Sequence, residues 1–227
     1  MNLCYNELGF KKERRMKKMI AVIDYGAGNL QSVVKALNYI GCESIVTDKK
    51  EDILKADGAI LPGVGSFADA MSCMQRSGAD KAVLEFVECG KPFLGICLGL
   101  QLLFDGSEES PGVQGLGLLK GSITKIPNQN NTLKIPHMGW NSLDILKNDG
   151  IFSGIPQNSY VYFVHSYYLK ADSENIVAAR TTYGTDIDVS VQYKNIFATQ
   201  FHPEKSGHVG LQILRNFADI AKGGFNS

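Results

Sequence analysis

Three side chains in this sequence have the types and spacing for nucleophilic chemistry. Cys97 lies at the centre of Gly95-Ile96-Cys97-Leu98-Gly99. Phe93, Leu94 and Ile96 read as a short buried strand, and Leu98, Leu100, Leu102 and Leu103 continue as an apolar, helix-like run. A sharp strand-to-helix turn needs small residues two positions either side of its apex, as in the Gly-x-Ser-x-Gly turn of serine hydrolases. A helix beginning after Cys97 favours thiolate over thiol, through its dipole and its free backbone N–H groups. From this pentapeptide alone, a buried structural cysteine between two packing glycines is an equal reading.

A thiol nucleophile needs a base to take its proton, and the base needs an acid to fix its tautomer. The strand-like Ile196-Phe197-Ala198-Thr199-Gln200 leads into Phe201-His202-Pro203-Glu204. At the end of a strand, a spacing of two puts His202 and Glu204 on one side. Glu204 can then hold one ring nitrogen while the other faces Cys97. The remaining histidines fit the role less well. His137 lies in a Pro-Met-Trp loop, His165 sits in an apolar run where burial is expected, and His208 opens the last helix. No ligand spacing matches a metal site, so neither a metal nor another cofactor is expected.

The elements that must carry these residues alternate along the first half of the chain. Met19 to Asp24 is an apolar strand, followed by the turn Tyr25-Gly26-Ala27-Gly28-Asn29 and a helix marked by Leu30, Val33, Val34, Leu37 and Ile40. The turn lacks the third glycine of a dinucleotide fingerprint and reads as a tight connection beside the active site. Glu43 to Thr47 is a second strand. Gly58-Ala59-Ile60-Leu61 is a third, ending in Pro62-Gly63-Val64-Gly65, whose glycines let the backbone turn N–H groups toward a ligand. Met71 and Met74, then Val83, Phe86 and Val87, mark two helices broken near Gly78.

Such alternation implies a parallel sheet covered on both faces, with ligands at the carboxyl ends of its strands. The Gly63–Gly65 loop and Cys97 should therefore be neighbours. After about Gly106 the texture changes to short strands: Gly121 to Ile126, Trp140 to Ile145, Tyr160 to Tyr168, Ile176 to Thr181, Val189 to Tyr193 and Ile196 to Gln200. Asn128 to Asn131 is a polar hairpin or loop. Leu211, Leu214, Phe217 and Ile220 stripe a final helix. The fold class expected is α/β, with three layers, a mostly parallel central sheet flanked by helices, and a smaller antiparallel β region.

With 227 residues, 44% of them hydrophobic, the chain suffices for one sizeable core. Basic and acidic residues balance at 23 each, which gives no bulk-charge argument for a nucleic-acid or membrane partner. Residues 1–18 are polar and basic and read as a disordered leader or start-site extension, with Met16 and Met19 as alternative starts. Residues 19–227 read as one domain. Five cysteines at spacings that match no metal motif suggest reduced thiols and a cytoplasmic location.

Gly95-Ile96-Cys97-Leu98-Gly99-Leu100-Gln101, taken with Gln200-Phe201-His202-Pro203-Glu204, resembles the class I glutamine amidotransferases. The resemblance runs from about Met19 to the carboxyl end. Asp24 to Asn29, Pro62 to Gly65, Pro136-His137-Met138-Gly139-Trp140-Asn141, Tyr162 to Tyr167 and His202 to Ser206 resemble one subfamily, the glutaminase subunits that serve a (βα)8-barrel cyclase. This resemblance implies that Cys97 attacks the side-chain amide of L-glutamine to form a γ-glutamyl thioester. It implies His202 as the base, Glu204 as its orienting acid, and an oxyanion hole from the backbone of Gly63, Val64, Gly65 and Leu98 that forms on demand. Gln101, Ser166 and Tyr167 match positions that hold glutamine.

His137, Met138, Trp140, Tyr162 and Lys205 match the side facing the cyclase in a heterodimer. The ammonia would be tunnelled there to make imidazole glycerol phosphate and an aminoimidazole ribotide in histidine biosynthesis. Two other readings stay open on the sequence: an ammonia supplier for amidino groups on surface sugars, and a non-catalytic interaction subunit.

Overall fold

The computed structural model describes residues 19–26, 28–128 and 133–223. The expected leader over residues 1–18, and most of the polar loop at Asn128 to Asn131, lie outside the described residues. Strands β1 (Met19–Ile23), β2 (Glu43–Thr47), β3 (Gly58–Gly63) and β4 (Phe93–Cys97) alternate with helices α1 (Leu30–Tyr39), α2 (Lys50–Lys55), α3 (Phe67–Ser77) and α4 (Ala79–Glu88). A four-residue helix, α5 (Leu98–Gln101), follows the last of these strands. Short strands come next: β5 (Gly106–Ser107), β6 (Gly121–Lys125), β7 (His137–Ser142), β8 (Asp144–Ile145), β9 (Tyr160–His165) and β10 (Tyr167–Ala171). The chain closes with β11 (Val177–Thr182), β12 (Asp186–Tyr193), β13 (Ile196–Thr199) and helix α6 (Gly207–Ala221).

The parallel half of the main sheet runs β2-β1-β3-β4-β13, with all four pairings parallel. The strands beyond it, β12-β10-β6, pair antiparallel in the same sheet. Most of the antiparallel region is thus spliced onto the parallel sheet through β13, and only β7 and β9 form a separate two-stranded sheet. The stretch read as one strand, Tyr160 to Tyr168, breaks at Ser166 because its two halves belong to different sheets.

Alternation along the strands builds three layers. Ala21 and Ile23 of β1 point into one apolar cluster with Phe67, Met71, Met74 and Phe86 of α3 and α4. Ile20 and Val22 point into the other, with Val33 and Leu37 of α1 and Ile213, Leu214 and Phe217 of α6. Strands buried on both faces read as unbroken apolar runs for this reason. Gly78, at φ +76°, separates α3 from α4 as the glycine punctuation implied. The buried stripe of α6 is turned slightly from the one expected. Ile213 and Ala218 are buried, whereas Leu211 and Ile220 are only partly so.

Candidate active site

Cys97 closes β4 in an unusual backbone conformation, φ +55° and ψ −108°, which few non-glycine residues adopt. The flanking glycines make this turn possible by close approach. A Cβ on Gly95 would lie 2.7 Å from the Gly99 carbonyl oxygen, and one on Gly99 would collide with the carbonyl of Leu61 in β3. The elbow is therefore pressed against its neighbouring strand. The helix after it spans only four residues, so the macrodipole expected to favour the thiolate is correspondingly small.

Strand β3 pairs with β4 so that Gly63 stands opposite Cys97. The expected neighbours do meet. Gly65, at φ +99°, has open space around its missing side chain, so conformation rather than crowding calls for glycine there. The turn before α1 lies against the same segment, with a Cβ at Gly28 falling 3.4 Å from the Pro62 carbonyl oxygen. Leu98 opens α5, where the first N–H groups have no partner within the helix.

His202 follows β13, the strand paired with β4 on its other side. Its Nδ1 and the Glu204 Oε1 are 2.8 Å apart, and both side chains are buried. The main chain of His202 is clamped as well. Its N–H donates to the Tyr162 carbonyl (3.0 Å), and its carbonyl accepts from the Ser206 hydroxyl (2.6 Å), which in turn accepts from the Tyr162 N–H. The His202 Nε2 is buried without a hydrogen-bond partner among the described residues. Cys97 lines the same cavity and favours the charged form of the ring. Burial opposes the charged form of His202, but Cys97 and Glu204 outweigh it and push the pKa up to about 9.

Cys97 and His202 open onto a cavity of about 350 Å3, and Val64, Gly65, Gln101, Ser166 and Tyr167 share its wall. A larger, more open groove lined by Lys147, Asp149 and Tyr193 carries none of these residues. Gln101 is buried, and its amide nitrogen donates both hydrogens, to the Tyr167 carbonyl (3.1 Å) and to the Gln200 Oε1 (3.0 Å). Only its carbonyl oxygen is left for a ligand.

Glu109, which the sequence reading did not single out, also lines the cavity, and its carboxylate is fixed by the Phe67 N–H at 2.8 Å. It places a negative charge where an amino acid's ammonium group could sit. Tyr25 was missed too. Its buried hydroxyl lies 2.7 Å from where a Gly63 Cβ would be and has no hydrogen-bond partner among the described residues. Burial pushes its pKa well above the ordinary phenol value, helped by Cys97.

The residues expected to face a partner separate into two groups. Strand alternation in β7 turns Met138 and Trp140 outward, 63% and 55% exposed, and turns His137 inward. His137 is only 3% exposed and lies between Phe163 and Tyr183, with ring centroids at 4.7 and 4.0 Å. It is a core residue of the small sheet, and its side chain does not belong to the surface. Tyr162 is half-buried, edge-on to Trp140 at 6.1 Å, and Lys205 is half-buried. Tyr160, on the same outward face, is exposed and was absent from the expected set. His165 is buried, as its apolar neighbours implied. Desolvation lowers the pKa of both His137 and His165 to about 4, so both are neutral at pH 7.

A cysteine on a strained elbow, a carboxylate-oriented histidine and a shared cavity define a cysteine-dependent hydrolytic site on an α/β sheet. The model of the family "Glutamine amidotransferase class-I" matches residues 21–221, and the chain belongs to that family. Among its relatives, the imidazole glycerol phosphate synthase subunit HisH of Bacillus cereus (strain G9842) is 50% identical over 204 residues. That match spans 90% of this chain and 96% of the relative. The HisH subunit of Moorella thermoacetica is 49% identical over 203 residues, covering 89% of this chain and 95% of its own. The fold is shared with more distant solved structures. The structure described as PurLQS from Thermotoga maritima superposes with a TM-score of 0.71 at 22% identity, covering 90% of this chain and 99% of that one.

Proposed function

We propose that the chain is the glutaminase subunit of an imidazole glycerol phosphate synthase and supplies ammonia for histidine biosynthesis. The HisH relatives, at about half identity over nine-tenths of the chain, support this assignment. The observation that carries the chemistry is the line Cys97–His202–Glu204 opening onto the cavity lined by Gln101, Ser166 and Tyr167.

The Cys97 sulfur attacks the side-chain carbonyl carbon of L-glutamine. The negative charge on that oxygen is received by the backbone N–H of Leu98 and by one from Gly63-Val64-Gly65; one such donor is worth roughly 10²–10³ in rate. His202, held by Glu204, carries the proton from the thiol to the departing ammonia and leaves a γ-glutamyl thioester. The neutral ring then takes a proton from water, which attacks the thioester and releases glutamate, and the thiol is restored.

Ammonia freed into water would be protonated and lost, so a partner must receive it directly. The outward face of the small sheet, with Met138, Trp140, Tyr160 and Tyr162, is the candidate docking surface for a (βα)8-barrel cyclase. It abuts the base segment: the Trp140 ring is 3.9 Å from where a Gly207 Cβ would be, and Tyr162 clamps His202. The main sheet passes through both halves of the described chain, which supports one domain over residues 19–227. The free thiols among the described residues suit a cytoplasmic location, and no described helix is long and apolar enough to cross a membrane.

The test is glutamate release by the chain alone, with the histidine-pathway cyclase, and with the cyclase plus its ligand. The expected result is strong stimulation in the last mixture. Unchanged turnover would redirect the ammonia to another acceptor, such as a surface sugar.

A further inference from the structure

Gln200 directly follows β13 on the way to His202, and nothing in the mechanism above uses its side chain. It is fully buried, with 0% exposure, and its amide nitrogen lies 3.7 Å from the Cys97 sulfur. The question is whether that amide presents nitrogen or oxygen to the sulfur.

The hydrogen-bond chain behind it decides. The Tyr167 carbonyl can only accept, so Gln101 must turn its NH2 toward it, at 3.1 Å. The second hydrogen of that NH2 meets Gln200 at 3.0 Å, so Gln200 must present its oxygen there. Its own NH2 is thereby aimed at Cys97. The same Tyr167 carbonyl accepts from the His165 Nδ1 at 2.9 Å, so the anchor is held from two sides.

We propose that Gln200 is a further catalytic residue, an N–H donor to the Cys97 thiolate whose orientation is set through Gln101 by the main chain of Tyr167. This deepens the reading of Cys97 as the nucleophile and rests on it. A buried thiolate without donors pays the full desolvation penalty, and the elbow's short helix offers little compensation. An amide N–H stabilises the anion more than the thiol. It also ties the nucleophile to the glutamine pocket, because Gln101 lines that cavity while orienting Gln200.

The test measures alkylation of Cys97 by iodoacetamide in the full chain as a function of pH, read by mass spectrometry of the peptide that contains it. Gln200→Leu should slow alkylation at pH 7 by about three- to tenfold and move the pH–rate curve to higher pH. Gln200→Glu, nearly the same shape but without the donor, should move it further in the same direction. Gln101→Met leaves Gln200 in place, removes its orienting donor, and should move the curve by less.

The other ionisable groups near the sulfur are His202, Tyr25, and His165 and Glu109 on the cavity wall, with Glu204 behind His202. All of them are unaltered in these variants. Curves that superimpose on wild type for all three variants would overturn the proposal. The underlying reading fails separately. If a glutamine-like electrophile labels wild-type chain with its cyclase anywhere but Cys97, the nucleophile itself is misassigned.

Discussion

Cys97 and His202 follow adjacent parallel strands, yet different forces hold them. The cysteine is fixed by its main chain: a left-handed φ, two flanking glycines with no room for a Cβ, and a neighbouring strand in contact. Among the described residues its sulfur accepts one hydrogen bond, from Gln200. The histidine is fixed by polar partners: Glu204 on the ring, and Tyr162 and Ser206 on the backbone. A steric hold cannot accommodate one added atom. A hydrogen-bonded hold accepts altered volume but fails when a donor or acceptor is removed.

The comparison breaks most easily at the elbow. Gly99→Ala places a methyl group against the carbonyl of Leu61, whose strand β3 is held by pairing on both sides. The expected outcome is a loss of roughly 3 kcal/mol or more in unfolding free energy, with glutaminase activity abolished. A denaturation midpoint equal to wild type would mean the close approach is not needed.

At the base, Glu204→Gln keeps the volume and removes the charge. The fold should survive while glutaminase turnover drops on the order of 10²–10⁴-fold. Turnover near the wild-type value would show that the carboxylate is not what orients the ring.

Ser206→Ala removes the buried hydroxyl that joins Tyr162 to His202 and should cost about 1–3 kcal/mol of stability, measured by chemical denaturation. Its effect on rate should be smaller than that of Glu204→Gln, because Glu204 still holds the ring. The reverse ranking would place the main hold on the backbone.

The mildest probe is pH. The folded-state pKa of His202 is raised above the ordinary 6.5 to about 9. The protonated ring therefore adds stability fully below about 6.5, and this contribution is lost as pH rises through about 9. In the proposed mechanism the same deprotonation removes the acid that serves departing ammonia. The pH profile of kcat/KM should fall on its alkaline side near pH 9. A flat profile beyond that range would mean that Cys97 and Glu204 do not hold the His202 ring protonated.

These contrasts also explain what was legible in the sequence. Steric devices leave marks on residue type, so Gly95, Gly99 and the Pro62–Gly65 stretch pointed to the elbow and its neighbour. Apolar runs revealed the parallel half, whose inner strands β1, β3, β4 and β13 are buried on both faces. Hydrogen-bonded devices leave weaker marks. Nothing local distinguishes Gln200 from any strand-terminal amide, because its role depends on Gln101 and Tyr167, which reach it from other elements.

The resemblance put His137 on the partner-facing side, and the sequence placed it in a loop before a strand beginning at Trp140, whereas the strand begins at His137 itself. Strand β7 alternates, which sends His137 inward and Met138 and Trp140 outward. The splice joins a tight β12–β13 hairpin to the parallel sheet by pairing β13 with β4, about a hundred residues earlier, and that long-range pairing is what no local pattern encodes.

The central claim is that this chain releases ammonia with Cys97 and hands it to a partner that does the synthesis. It is tested most directly by assembling Cys97→Ala with the cyclase and supplying either glutamine or ammonia. The account predicts that glutamine-dependent synthesis disappears while ammonia-dependent synthesis continues at the wild-type rate. Loss of both activities, or persistence of the glutamine-dependent one, would contradict it.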